Sequence, residues 1–250
     1  MAVPTISRRD IDAVLFDLDG VVTRTAEVHA AAWKRLFDDY LRRCAERDRS
    51  EFRPFDEDID YRAYVDGRPR YDGVRSFLRS RGIVLPNGDP SDPPDSETVC
   101  GLGNRKDTYF ERDVAARGVC AYEGTVALIN RLKEHGMKVA VVSASKHCSP
   151  ILKAAGAAEL FDTRVDGNDA ERLGLAGKPD PSTYVEAARR LGIDPARAAV
   201  VEDAHAGVQA GRAGGFGLVI GVNRGQARGA LLKTGADVEV QDLGEVMVSP

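Results

Sequence analysis

Four short, unbroken apolar runs punctuate the chain, at residues 13–16, 139–142, 198–201 and 217–220. They are too short for helices and rich in valine and isoleucine, so they read as strands. Their continuous apolarity, without alternation, predicts burial on both faces, as in a parallel sheet. Helical stretches separate the later runs: 124–135 leads into the second, 182–191 precedes the third and 204–213 follows it. Strands alternating with helices predict βαβ units and an α/β, doubly wound parallel sheet.

The rhythm breaks after the first run. Residues 26–118 carry helical patterns but no buried strand pattern. A helix is predicted over 27–41, with Val28, Ala31, Ala32, Leu36 and Phe37 on its apolar side. Further helices are predicted over 73–80 and 106–117, and the Pro-, Asp- and Gly-rich stretch 86–96 reads as a surface loop. The simplest organisation is a sheet domain, 1–25 with 118–250, interrupted by a helical insertion over 26–117.

Bulk properties narrow the function classes. A chain of 250 residues suits one α/β domain carrying a smaller insertion. The net charge of −4 lacks the basic excess of a nucleic-acid binder. Arg42, Arg43, Arg47 and Arg49 are interleaved with acids and read as a solvated helix face. No apolar run approaches the roughly 20 residues that span a bilayer, and the polar N-terminus, Met1 to Asp10, has no signal-peptide core. We therefore expect a cytoplasmic protein, acting as a monomer, with neither nucleic acid nor membrane as partner. Cys44, Cys100, Cys120 and Cys148 lie far apart without a C-x-x-C pair, so they read as ordinary thiols. Any metal must then find oxygen ligands.

In open α/β sheets ligands bind at the carboxyl ends of the strands. The polar residues that follow the apolar runs are therefore the informative ones. Asp17-Leu18-Asp19-Gly20 follows the first run, Ser143-Ala144-Ser145-Lys146 the second, and Glu202-Asp203 the third, with Gly177-Lys178-Pro179 just before that strand. Asp17 and Asp19, two positions apart at a strand end, can project to one side. Their mutual repulsion needs an offsetting cation. Four carboxylates without His or Cys ligands suit a hard ion, magnesium foremost. Lys178 and the Ser143 hydroxyl add charge and donors. A metal, a lysine and a hydroxyl describe a phosphoryl site, and a carboxylate can itself attack phosphorus.

On these four elements the chain resembles the haloacid dehalogenase superfamily of phosphotransferases. The resemblance spans most of residues 11–222 and implies a Rossmann-like core with an inserted α-helical cap. It also implies Asp17 as nucleophile and magnesium ligand, and Asp19 as general acid/base with its backbone carbonyl on the metal. By the same resemblance Asp203 and Glu202 hold the metal, while Ser143, the Ala144 backbone and Lys178 hold the phosphoryl oxygens.

Within the superfamily the chain is most similar to β-phosphoglucomutases. The similarity rests on Asp17 to Thr23, Thr25-Ala26-Glu27-x-His29, Ala32-Trp33-Lys34, Ser143 to Lys146, and Glu202-Asp203-x-x-Ala206-Gly207-x-Gln209-Ala210. It implies a hinge at Thr25, a His29 hydrogen bond near Asp19, and Ser145 and Lys146 on a distal phosphate. In the cap, Gly67-x-x-Arg70 resembles a loop that binds the second phosphate, and Asn104-Arg105-Lys106 a segment whose lysine contacts the sugar phosphate. Arg24, Asp66 and His147 depart from the mutase pattern, where an acid, a base and an asparagine are usual. A small sugar phosphate is the implied substrate. Mutase activity ranks first, a sugar-phosphate phosphatase second, and a non-catalytic interaction protein a remote third.

Two other α/β classes fit less well. The glycine-rich 211–217 stretch follows a helix and precedes a strand, the reverse of a dinucleotide-binding turn. A receiver-type aspartate domain would be about half this length and would carry no helical insertion.

Overall fold

The computed structural model describes residues 4–250. Met1 to Val3, the start of the polar N-terminal stretch, lie outside the described residues. The chain forms two compact units, one made of 1–24 and 119–250, the other of 25–118.

In the first unit, a short strand β1 (Thr5–Ser7) precedes β2 (Ala13–Asp17). In the second lie α1 (Ala26–Asp48), a π-helical turn (Tyr61–Val65), α2 (Arg70–Ser80) and α3 (Val99–Arg117). The first unit then resumes with α4 (Glu123–Glu134), β3 (Lys138–Val142), α5 (Cys148–Ala154), β4 (Thr163–Val165) and α6 (Gly167–Leu173). It continues through α7 (Ser182–Leu191), β5 (Ala198–Glu202), α8 (His205–Ala213) and β6 (Leu218–Val222). It closes with α9 (Ala230–Thr234), β7 (Val238–Val240) and β8 (Met247–Ser249).

Six strands form one parallel sheet in the order β4-β3-β2-β5-β6-β7, and β1 pairs with β8 beside it. The four apolar runs are β2, β3, β5 and β6, and every residue of β2 and β5 is buried. β2 and β5 are the central pair, and neither carries a polar side chain before its last residue. Small side chains fill the space between sheet and helices: Ala13, Ala140, Ala187, Ala188 and Ala198 pack with Leu15, Val200 and Phe216. Small residues let helices approach the sheet closely, so the strand tips are held by a stiff frame.

The helical unit has no strand among its described residues and is packed differently. Phe37, Phe55 and Phe77 meet with ring centroids 4.1–5.2 Å apart, and Trp33 stacks on Phe37 at 5.2 Å. Its helices run longer than sequence periodicity suggests. α1 continues past Leu41 because Cys44 and Ala45 extend its buried side. α3 starts at Val99 rather than 106 because Thr98 caps it, its hydroxyl accepting from Gly101 N at 2.9 Å. Within the sheet unit the two segments leading to the insertion run side by side, with Arg24 N donating to Cys120 O at 3.0 Å. No described helix is long and apolar enough to cross a membrane.

Candidate active site

Strand register decides which polar residues meet. Phe16 is paired with Val141 on one side and Val201 on the other. One residue further on, Asp17 ends β2 and Glu202 ends β5, with Ser143 just past β3. The carboxylates of Asp17, Glu202 and Asp203 are all buried and lie within 4.8 Å of one another. Asp19, two residues beyond the nucleophile candidate, is half-buried, and its segment bridges to Thr23.

Lys178 reaches this edge from the loop before α7. Its ammonium donates to Asp17 Oδ1 at 2.5 Å and to Glu202 Oε1 at 2.6 Å, entirely out of solvent. Burial works against the ammonium, but the Asp17 and Glu202 charges overcome it and hold the Lys178 pKa well above the ordinary lysine value. Burial pushes the Asp17 carboxyl above its ordinary range; Lys178 opposes this, while Glu202 and Asp19 add to it. A cation among these acids would act against that upward push.

Glu202 is fully engaged by the protein. Oε1 also accepts from Tyr184 Oη at 2.9 Å, and Oε2 accepts from the backbone N–H groups of Asp203 and Ala204, both at 3.0 Å. The Tyr184 ring lies against the Lys178 ammonium, 4.8 Å from its centroid. Two glycines make the acids' approach possible. Gly20 has φ +92°, and a Cβ there would sit 1.8 Å from Asp203 Oδ2. A Cβ on Gly207 would sit 1.7 Å from Glu202 Oε1. Any larger residue at either position would displace a carboxylate.

The donor set fits a hard divalent cation: carboxylate oxygens converge, soft ligands are absent from the cluster, and the net charge is negative even with Lys178 present. Glu202 is the most heavily engaged carboxylate of the set, spent on Lys178, Tyr184 and two amides.

The loop after β3 is wound by its own hydroxyls. Ser143 Oγ accepts from Ser145 N at 3.0 Å, and Ser145 Oγ accepts from His147 N at 3.1 Å. Ser143 N donates to Val165 O on β4. Gly167 lets the loop lie close, because a Cβ there would be 2.8 Å from Ala144 O. Lys146 pairs with Glu171 on α6 at 2.8 Å, and Asn168 donates to its carbonyl.

In the helical unit, Thr25 precedes α1, and its carbonyl accepts from His29 N at 2.9 Å. The unit brings His29 and Lys106 together, with Lys106 Nζ 2.6 Å from His29 Nδ1. An ammonium only donates, so Nδ1 accepts. The imidazole stacks on Phe110 at 3.9 Å, and the ammonium faces Phe110 and Trp33 at 4.6 and 5.2 Å. Arg70 is tied to Asp107 and donates to Tyr71 Oη at 3.3 Å. Sequence reading assigned His29, Lys106 and Arg70 to ligands and did not foresee that each has a partner within its own unit. It also missed Tyr184, and it quoted Gly207 in a motif without reading its steric role beside Glu202. Tyr184, six residues past Lys178, carried only the signal of an aromatic at the start of α7.

The comparisons with known proteins run along the same line. The family profile for haloacid dehalogenase-like hydrolases matches residues 11–215. A beta-phosphoglucomutase of Mycobacterium bovis is 47% identical over 240 residues, covering 95% of this chain and 92% of that protein. A validoxylamine A 7'-phosphate phosphatase of Streptomyces hygroscopicus subsp. limoneus is 26% identical, covering 93% and 94%. Among solved structures, a beta-phosphoglucomutase from Clostridium difficile matches with a TM-score of 0.70 at 22% identity, over 94% of this chain and 92% of that one.

Proposed function

The chain belongs to the haloacid dehalogenase-like hydrolases, in their beta-phosphoglucomutase-like branch, and from that premise we propose a magnesium-dependent sugar-phosphate mutase that forms a phosphate ester on Asp17. Its substrate pair is β-glucose 1-phosphate and glucose 6-phosphate. One observation carries the reading: a buried lysine bridges Asp17 and Glu202 at the tip of the central strands, beside Asp203. A perturbed buried triad at the edge where a sheet binds its ligands has the features of a reaction centre.

Asp17, Asp203 and the Asp19 carbonyl would hold magnesium, with Glu202 acting through Lys178. Bound there, the ion offsets carboxylate repulsion and draws charge from the phosphoryl oxygens. An Asp17 carboxylate oxygen forms a bond to phosphorus as the bond from phosphorus to the substrate oxygen breaks. Asp19 gives a proton to the departing oxygen. The Lys178 ammonium, the Ser143 hydroxyl and the Ala144 N–H bind the non-bridging oxygens, where charge gathers in the transition state. Ser143 Oγ already accepts from Ser145 N, which leaves its proton to donate. In the second half, Asp19 takes a proton from another sugar hydroxyl, whose oxygen attacks phosphorus and releases Asp17.

The helical unit serves as the cap, with Thr25 at the hinge. Arg70 and Lys106 bind the substrate's second phosphate and sugar phosphate, His29 supports Lys106, and Ser145 and Lys146 line the distal side. Sugar phosphates are anionic and do not cross a bilayer unaided, and the cytoplasm is the location we propose for this chain.

Hydrolysis by water instead of a sugar hydroxyl is the second reading, favoured by the near full-length likeness to a phosphatase. Phosphorus NMR with β-glucose 1-phosphate, magnesium and a trace of glucose 1,6-bisphosphate separates the two. Glucose 6-phosphate supports the mutase, and inorganic phosphate alone supports the phosphatase. No turnover in either direction, with no change on adding magnesium, removes both.

A further inference from the structure

We propose that Arg224 and Gln226, in the loop after β6, clamp the two acidic loops at a fixed separation and thereby set the site's affinity for its divalent cation. The inference rests on the metal site proposed above but assigns new residues to it.

The sheet order explains the reach of each side chain. β6 neighbours β5, and β5 neighbours β2. Adjacent strands lie about 4.8 Å apart, so β2 is roughly 10 Å from β6. The shorter side chain serves the nearer loop: Gln226 Nε2 donates to Asp203 O at 2.7 Å. The longer one serves the farther loop: Arg224 Nε donates to Gly20 O at 2.7 Å. Gly20 in turn lies with its bare α-carbon against the Asp203 carboxylate. The contacts close a ring from Gly20 to Asp203, to Gln226, to Arg224 and back to Gly20.

The loop is built to present these two groups. Asn223 Oδ1 accepts from Gly225 N and Gln226 N at 3.0 and 2.8 Å. Asn223 Nδ2 donates to Gln226 O and to Glu239 Oε1, which ties the turn to β7. The Arg224 guanidinium lies on the Tyr122 ring, 3.7 Å from its centroid, and also donates to Gln241 O. That stacking fixes its plane as well as its position.

Two features separate this clamp from ordinary loop packing. First, its two acceptors are backbone carbonyls beside Asp19 and within Asp203, so it holds the peptides that aim the acids. Second, among the described residues the buried Arg224 Nη2 and Gln226 Oε1 have no hydrogen-bond partner. Buried polar atoms without a partner are uncommon and call for a reason. The loops being joined carry like charges, so without a clamp they would spread when no cation is bound. Holding them at the bound spacing removes that rearrangement from the binding step, which is how groups beyond the ligands tune metal affinity.

The test is a magnesium titration of the full chain by isothermal calorimetry, with thermal melting of the metal-free protein alongside. Asp203→Asn is the reference for loss of the site. Gln226→Ala and Arg224→Met each weaken magnesium about 10–100-fold, including when measured at a temperature where the metal-free variant is fully folded by its melting curve. Arg224→Lys keeps the charge without the stacked fork and recovers only part of that loss. Turnover by Gln226→Ala returns to the wild-type maximum at saturating magnesium. Gln226→Leu, close to the native volume, supplies the same measurement if Arg224→Met does not fold. Wild-type magnesium affinity in the clamp variants, with Asp203→Asn still losing it, overturns the clamp and leaves the metal site standing. Equal titrations of wild type and Asp203→Asn overturn the metal site itself, and the clamp with it.

Discussion

The sheet unit and the helical unit hold their charged residues in opposite ways. At the sheet edge, Lys178, Asp17 and Glu202 come from three separate chain segments and are fixed by backbone. Two of the three stand at strand ends in register, and Glu202 takes two main-chain N–H groups. In the helical unit, Arg70 and Lys106 sit on helices at the ends of long side chains, held by other side chains, among them Asp107 and His29. Their cores differ to match. Alanine and valine bring helices close to the sheet, whereas the helical unit is filled by interlocked aromatic rings. Chemistry needs atoms held within a fraction of an ångström, and strand register provides this. Recognition of a phosphate can be done by a side chain that exchanges one anionic partner for another, as Arg70 could exchange Asp107.

The largest effect that would break this contrast is at the strand tip. Asp17→Asn keeps the shape and removes the attacking charge, so turnover should fall to background while the melting temperature holds. Near wild-type turnover would show that the rigid edge does not carry the reaction. Asp19→Asn should be milder, with kcat reduced about 10²–10⁴-fold, measured at saturating substrate.

Packing offers the next test. Phe77→Ala removes a ring that meets Phe37 and Phe55, and should cost about 3–5 kcal/mol in urea unfolding followed by circular dichroism. Val141→Ala, on β3 beside β2, removes less volume and should cost roughly 1–2 kcal/mol. Equal costs would mean the two cores are not packed as differently as they look.

Exchange of partners in the helical unit predicts opposite shifts. Arg70→Ala should raise KM about tenfold or more, since a hydrogen bond to a charged group is worth about 1.5–3 kcal/mol. Asp107→Asn releases the arginine from its competing anion and should lower KM. Both leave kcat near wild type. A shift in the same direction for both would make the Arg70–Asp107 pair a structural one.

The smallest effect lies away from both sites. Arg189 and Arg190 hold the Glu186 carboxyl down at about 2, from an ordinary 4.5. A depressed carboxyl stabilises the fold above pH 4.5, and this contribution is lost as pH falls through about 2. The Arg189 side chain is 71% exposed, so screening limits the gain to about 1 kcal/mol. Glu186→Gln should lower the unfolding free energy from urea titration by that amount at neutral pH and match wild type near pH 2.

Much of this was open to reading from residue order. Continuous apolar runs gave β2, β3, β5 and β6, because burial on both faces leaves a local trace. The acids, the serine and the lysine stood at the run ends, where an α/β sheet binds ligands. Strands β1, β4, β7 and β8 left no such trace, since each has three residues and is partly exposed. Helix ends were misplaced where a cap such as Thr98 outweighed periodicity.

Residue order alone determined the alternation of strands and helices and the chemical kinds of group at the strand tips, since both depend on neighbours a few positions away. Only the tertiary structure decided that Tyr184 supports Glu202, that Gly20 and Gly207 make room for carboxylates, that Lys106 meets His29, and that Arg224 and Gln226 span two strands. Apart from Gly207 and Glu202, those pairings join residues 18 to 204 positions apart. They depend on strand order and side-chain length together, which no local pattern encodes.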